Sequence, residues 1–342
     1  MKYIDYIKHI ISIRPFTNVL RFPIEKVVQG STTLNNSMWN KSIIYLDTEP
    51  TSICNAACPM CARNVNGEGL NPYLTLKSLT LDWFEKNIEP NKIKQLKKLR
   101  FGGNVGDPAA TPELIPIIKY FKKHNPEIII GLNTNGGLKN ANWWKQLGES
   151  LQGPLDYCVF SVDGLEDINH IHRRNVIWKK LMENIKSYIS TGASAHWDML
   201  IFKHNVHQLE AIKTLAKQMG FTWFRGKATD RWDTYTKDLG LEPSENYVIP
   251  QYDQVDIICE RDKDRSLFLD YTGKFWPCCH MAEAYLNVIG YELHKDLREY
   301  TNKELFDVYS NRLDNNPFYI CKRACNTTHN KVHQFKIVEQ LQ

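Results

Sequence analysis

Cys54, Cys58 and Cys61 follow an apolar, β-rich run in C-x3-C-x2-C spacing, and no other group of residues in this sequence carries clearer chemistry. A structural zinc site closes around four ligands, and a cubane iron–sulfur cluster is usually held by four thiolates. Three thiolates with no fourth Cys or His close by would leave one iron of a [4Fe-4S] cluster open to a substrate or cosubstrate. The same residues would also suit a zinc or purely structural site completed by a distant ligand. Their place is telling, because parallel α/β sheets and barrels build their sites in loops at the carboxyl ends of strands.

A second set, Cys259, Cys278, Cys279, Cys321 and Cys325, comes late in the chain and ends in a C-x3-C pair. Cys158 lies inside an apolar strand and reads as a packed core thiol. Nine cysteines in a chain of 342 residues are too sparse for a disulfide framework, and their clustering points to metal or redox chemistry. Asp5 and Lys8 interrupt the apolar stretch that a signal peptide would need, and no run approaches the ~18 apolar residues of a membrane span. The expected location is the cytoplasm.

The elements that must position these residues show in the hydrophobic pattern. Strand patterns at Ser42–Leu46, Lys98–Gly102, Ile128–Leu132, Tyr157–Val162, His196–Ile201 and Thr222–Phe224 alternate with helical ones. Thr111-Pro112-Glu113 has the cap, proline and acid of a helix start before Leu114, Ile115, Ile117 and Ile118. Helices are expected over Val176–Ile189 and Val206–Met219, the latter stopped by Gly220. Six strand–helix units imply an α/β fold with a parallel sheet and right-handed crossovers, barrel-like or doubly wound. Residues 1–42 read as an N-terminal extension, 43–235 as the α/β core, 236–255 as a polar connector with Pro243 and Pro250, 256–330 as a small cysteine-bearing unit and 331–342 as a tail.

With 42% hydrophobic and 24% charged residues and only 18 Gly and 15 Pro, disordered, collagen-like and low-complexity classes are excluded. The net charge of +5 is spread along the chain, so nucleic acid is not indicated as a partner. The densest basic patch, Lys92, Lys94, Lys97, Lys98 and Arg100, reads as a solvated helix face.

The cysteine loop and four later segments resemble the radical S-adenosylmethionine (radical SAM) superfamily over residues 43–225. Gly102-Gly103-Asn104, after Phe101, resembles the Gly-Gly-Glu motif that holds the amino group of the methionine moiety. Asn104 lacks the glutamate's charge but can accept through its side-chain carbonyl oxygen. Asn133-Thr134-Asn135-Gly136 matches the usual end of the third strand. Ser161-Val162-Asp163-Gly164 with Arg173 and Arg174 resembles the fourth-strand Ser-x-Asp-Gly and its later arginine. Phe202-Lys203-His204-Asn205 falls where the fifth strand hands over to its helix. The resemblance implies a cradle of Gly102, Gly103, Asn104, Ser161, Asp163 and Arg174, with Asp163 on ribose hydroxyls and Arg174 on a carboxylate. Read alone, the glycines and Asp163-Gly164 are equally turns, and the arginines surface charges.

Gly273 with Cys278, followed by Cys321 and Cys325, is similar to the SPASM/twitch extensions of that superfamily. Arg312 and Asn315 stand where a full SPASM pattern has two more cysteines, so the resemblance implies one auxiliary [4Fe-4S] cluster. Its ligands would be Cys259, Cys278, Cys321 and Cys325, with Cys279 as the substitute for Cys278. A zinc site closed by four thiolates is the alternative.

The implied fold is a partial (β/α)6 TIM-type barrel with a small C-terminal cysteine-rich iron–sulfur domain. The implied activity is that of an oxidoreductase. S-Adenosylmethionine bound to the open iron is reductively cleaved to a 5′-deoxyadenosyl radical, which removes hydrogen from a substrate. The auxiliary cluster implies an oxidative outcome: modification of a peptide or protein ahead of dehydrogenation of a small molecule. An external one-electron donor such as a flavodoxin or ferredoxin would be required. The cofactors do the hard chemistry in such a system, so no protein acid, base or nucleophile is assigned. A non-catalytic, zinc-stabilised binding protein is the reading from a different class.

Overall fold

Six apolar runs become six parallel strands that lie side by side in chain order: β1 (Tyr45–Thr48), β2 (Lys98–Phe101), β3 (Ile129–Thr134), β4 (Tyr157–Ser161), β5 (Ala195–Ile201) and β6 (Trp223–Ala228). Helices α1 (Leu81–Asn87), α2 (Pro90–Gln95), α3 (Leu114–His124), α4 (Ala141–Ser150), α5 (Trp178–Ile189) and α6 (Leu209–Met219) connect them. The computed structural model describes residues 42–229, 231, 241–244, 257–284, 321, 325 and 336–342, without the side chains of residues 260, 284 and 336. The fold is mixed α/β around a parallel sheet.

Three further strands extend that sheet. β7 (Ser266–Leu269) pairs parallel with β1, β8 (Phe275–Trp276) pairs antiparallel with β7, and β9 (Lys336–Gln340) pairs antiparallel with β6. The late cysteine-bearing segment thus shares the sheet of the core, and part of the expected tail is a strand. Of the expected connector, Glu242 accepts the Lys203 N–H at 3.0 Å, beside the end of β5. The expected extension over 1–42 lies outside the described residues apart from Ser42.

Register separates the two faces of the sheet. Leu46 stands opposite Leu99, Leu99 opposite Ile130, Leu132 opposite Cys158, and Phe160 opposite Trp197, which faces Phe224 in turn. All are fully buried against Ile117, Phe121, Trp144, Leu181, Ile185 and Ile212 of the helices. Each such side chain contributes roughly 1.5–3 kcal/mol through burial. The other face is polar: Asp47 is paired with Arg100, and Asp198 with Arg225. There Gly131 leaves room for the Tyr157 ring, since a Cβ would come within 2.4 Å of it.

These polar pairs account for the shifted strand ends. β1 runs through Asp47 and Thr48, and β6 through Arg225 and Lys227, because ion pairs make polar residues tolerable in a buried strand. The expected start of α3 also moves. Thr111 closes the preceding turn by donating its N–H to Pro108, and Glu113 turns its carboxylate to the Leu81 N–H at the start of α1. The expected stop of α6 holds: Gly220 is left-handed, with φ +89°. Of the basic patch, Lys92 and Lys94 lie in α2, Lys97 between the two elements, and Lys98 and Arg100 in β2, where Arg100 is an interior ion-pair partner. Among the described residues, no helix is long and apolar enough to cross a membrane.

Candidate active site

The loops that follow β1 and β2 and the carboxyl ends of β3 to β6 open on one cavity of about 500 Å³. Cys54, Cys58 and Cys61 wall one part of it, and the Gly103–Asp107 loop after β2 lies beside them. Asn135 follows β3, Ser161 ends β4, and Asp198 and Lys227 reach the cavity from β5 and β6. Arg173, Arg231 and His280 also line it.

The cysteine loop is irregular, so its carbonyls need partners from outside the sheet ladder. Arg63 supplies them, donating to the Ser52 and Cys54 carbonyls at 3.1 and 3.3 Å, and Asn64 donates to the Cys58 carbonyl at 3.3 Å. The loop then presses on the next one. A Cβ at Gly106 would lie 1.9 Å from the Thr51 carbonyl oxygen, so only glycine allows this approach.

Two buried carboxyl groups, those of Glu49 and Asp107, fix the Gly103–Asp107 loop. Glu49 Oε1 accepts the Val105 N–H at 2.5 Å and the Gly106 N–H at 2.9 Å. Burial pushes the Glu49 carboxyl up to about 8, with the two amides pulling the other way. Asp107 accepts from the Thr134 hydroxyl at 2.8 Å and from the Asn135 and Ala109 N–H groups at 2.8 and 2.9 Å.

The three sulfurs have different surroundings. Cys54 Sγ accepts from the Ala56 N–H at 3.3 Å and from Asn135 Nδ2 at 3.4 Å. The Arg173 charge acts on Cys58, and Arg231 and the Arg63 backbone act on Cys61, each favouring the thiolate. The Cys61 thiol donates to the Asn104 carbonyl at 3.5 Å. Burial pushes all three thiols up, Cys58 to about 11 despite the Arg173 charge. Ionisation therefore needs a compensating cation such as a metal centre. Three thiols on one cavity wall, Cys58 buried and Cys54 and Cys61 half-buried, fit an iron–sulfur cluster, whose ligand sulfurs are commonly hydrogen-bonded as that of Cys54 is here. Beside them, Asn104 Nδ2 is buried with no hydrogen-bond partner. Among the described residues, no three His, Cys, Asp or Glu side chains surround a point that would hold a single ion.

Of the expected cradle, Gly103, Asn104 and Ser161 face the cavity. Gly102 is tied back to β1, its N–H donated to the Thr48 carbonyl at 2.7 Å. Asp163 is fully buried behind the wall. Its Oδ1 accepts the Leu200 N–H at 2.7 Å, and its Oδ2 meets His172 Nδ1 at 2.7 Å and Arg173 Nε at 2.5 Å. Burial works against its charge, but Arg173 and His172 outweigh it and hold the carboxyl well below the usual range. Arg174 points elsewhere, donating to the Asn66 carbonyl at 3.3 Å. The neighbouring Arg173 is the arginine on the cavity, and with Glu49, Asp107 and Asn135 it is what the sequence left unassigned.

The late cysteines gather on the far side of β1. The Ile258 N–H bonds the Cys325 carbonyl at 3.0 Å, which brings Cys259 beside the segment holding Cys321 and Cys325. Burial pushes the Cys278 thiol up, and Cys279 and Cys259 are close enough to add to it. Cys279 and Cys321 pack with Phe268, Tyr271 and Trp276. Cys279 Sγ takes a hydrogen bond from Arg261 Nη2 at 3.0 Å, and the same nitrogen reaches Asp47 at 3.1 Å. Cys158 is fully buried within β4.

No curated protein matches this chain. Among solved structures, Streptococcus suis SuiB bound to S-adenosylmethionine matches with a TM-score of 0.53 at 14% identity, over 82% of this chain and 71% of SuiB. SuiB bound to its precursor peptide SuiA matches at 0.51 and 14%, over 90% and 76%. AdoMet-bound anSMEcpe matches at 0.50 and 14%, over 78% and 77%. These likenesses are of fold. The family model of the radical SAM superfamily matches from the end of β1 to within α6, a span that contains the cysteine loop, and residues 48–216 form a radical SAM domain.

Proposed function

We propose that this chain is a radical SAM oxidoreductase that modifies a peptide or protein. The observation that carries the reading is the meeting of Cys54, Cys58 and Cys61 with Gly103, Asn104, Ser161 and Arg173 on one cavity. The three cysteines would hold a [4Fe-4S] cluster. When bound, the cluster and S-adenosylmethionine supply a one-electron reductive cleavage whose deoxyadenosyl radical removes hydrogen from substrate.

The chain's own residues bind, orient and exclude water. Gly103 and Asn104 offer carbonyl oxygens to an amino group, and Ser161 a hydroxyl. Arg173, held by Asp163, presents its guanidinium to a carboxylate. Gly102, Asp163 and Arg174 support this wall from behind. The parallel strands would form the partial barrel around the site, and Cys259, Cys278, Cys321 and Cys325 one auxiliary cluster. An external flavodoxin or ferredoxin would supply the electron. The peptide reading rests on fold likeness to SuiB, which holds its precursor peptide in one of the matched structures.

Anaerobic reconstitution with iron and sulfide should give a brown protein that, once reduced, converts S-adenosylmethionine to methionine and 5′-deoxyadenosine. Changing Cys54, Cys58 and Cys61 together to Ala should abolish the conversion. A colourless protein with stoichiometric zinc and no 5′-deoxyadenosine would refute the reading in favour of a zinc-stabilised binding module.

A further inference from the structure

Asn135 is 5% exposed, and its amide is oriented from both ends. The Gly137 N–H binds Oδ1 at 2.8 Å, which turns Nδ2 toward the cysteine loop. There Nδ2 donates to Asn55 Oδ1 at 2.9 Å and to Cys54 Sγ at 3.4 Å, so both of its hydrogens are used. The Asn135 backbone N–H is held separately by Asp107. Gly137 has no room for a side chain: a Cβ would lie 2.8 Å from Asn55 Nδ2 and 2.9 Å from Asn135 Oδ1. Backbone and neighbours thus aim one neutral side-chain donor at one sulfur.

Hydrogen bonds to ligand sulfurs help set the potential of an iron–sulfur centre. A donor withdraws charge from the thiolate, and so favours the more negative, reduced cluster. We propose that Asn135 is a positioning residue that acts through Cys54, its amide N–H raising the reduction potential of the cluster held by Cys54, Cys58 and Cys61. This rests on the assignment of those cysteines to a cluster. One electron from an external reductant is taken up, and no bond to Asn135 forms or breaks.

The test is a redox titration of the reconstituted full chain, following the electron paramagnetic resonance signal that changes on adding S-adenosylmethionine. Asn135→Ala removes the donor. Asn135→Asp keeps the shape and the acceptor for Gly137 but turns an anionic oxygen toward the sulfur. In Asn135→Ala the reduction equilibrium should fall about tenfold, a midpoint about 59 mV lower for one electron. In Asn135→Asp it should fall further, with iron content and melting temperature close to wild type. Midpoints of both variants within about twofold of the wild-type equilibrium, or the reverse order, would overturn the proposal. So would loss of the cluster in both variants, which would make Asn135 a structural support. A wild-type protein with no iron–sulfur chromophore, or with no signal that responds to S-adenosylmethionine, overturns instead the reading on which the proposal rests.

Discussion

The two cysteine regions are built in opposite ways. Cys54, Cys58 and Cys61 come from one loop, and their surroundings come from elsewhere: Asn104 from the loop after β2, Asn135 from the end of β3, Arg173 from beyond β4. Cys259, Cys278, Cys279, Cys321 and Cys325 come from separate segments, and the sheet brings them together. β7 pairs with β1, and Arg261 joins Cys279 to Asp47 in the middle of β1. A loop-borne set is specified by local spacing and adjusted by the fold around it. A gathered set exists only once the sheet has formed.

Two substitution sets would break that contrast most directly. With Cys54, Cys58 and Cys61 all changed to Ala, 5′-deoxyadenosine formation should vanish, and about four irons should remain on the late set. With Cys278 and Cys325 changed to Ala, the complementary four should go, while S-adenosylmethionine cleavage at the first site persists. The melting temperature should also fall, since metal binding to a gathered site contributes folding energy. Iron unchanged by the second pair of substitutions would remove the late set from the metal ligands.

A smaller effect is expected behind the first site. Asp163→Ala leaves the Arg173 guanidinium without its buried carboxylate, and removing one partner of such a pair costs about 3–5 kcal/mol. The sign of the pH dependence follows from the depressed carboxyl. Its contribution is present above the unfolded value near 3.9 and is lost as pH falls below it. Chemical denaturation at pH 7 and again at about pH 3 should therefore show a wild-type advantage over Asp163→Ala that shrinks in acid. An advantage independent of pH would mean that packing, not charge, anchors Arg173.

The contrast between the regions also explains what the sequence could disclose. C-x3-C-x2-C after a strand needs no fold to be recognised, and the alternation of apolar strands and helices gave the parallel sheet. Strand ends were blurred wherever a buried ion pair let a polar residue continue the strand, as at Asp47 and Arg225. Arg173 and Arg174 are equivalent on paper, and only Asp163 and the Asn66 carbonyl send them different ways. Asn135 lay inside a motif that matched by order alone, and its aim at Cys54 depends on Gly137 and Asp107. Glu49 gave a faint signal, an acid at the end of a buried strand with no basic neighbour in sequence. The attachment of β7 to β1 is a long-range pairing that no local pattern encodes.

Glu49 stands where the two regions meet. Its N–H bonds Leu269 of β7 at 2.8 Å, and its carboxyl holds the Val105 and Gly106 amides of the first site. Glu49→Ala should cost about 1–3 kcal/mol by leaving buried amides without an acceptor, and should speed hydrogen exchange at Val105 and Gly106. Both amides fall on Oε1, so the carbonyl oxygen of a glutamine can replace it, and Glu49→Gln should restore slow exchange. The pH dependence has the opposite sign to that of Asp163. A carboxyl raised to about 8 in the fold, against ~4.3 unfolded, contributes stability that is full below the unfolded value and lost as pH rises through the folded one. Glutamine lacks that proton, so Glu49→Gln should gain on the wild type between about pH 4 and 8 and then level off. If the gap between the two stays flat across that range, the carboxyl is charged throughout, and the link between the regions is an ionic one.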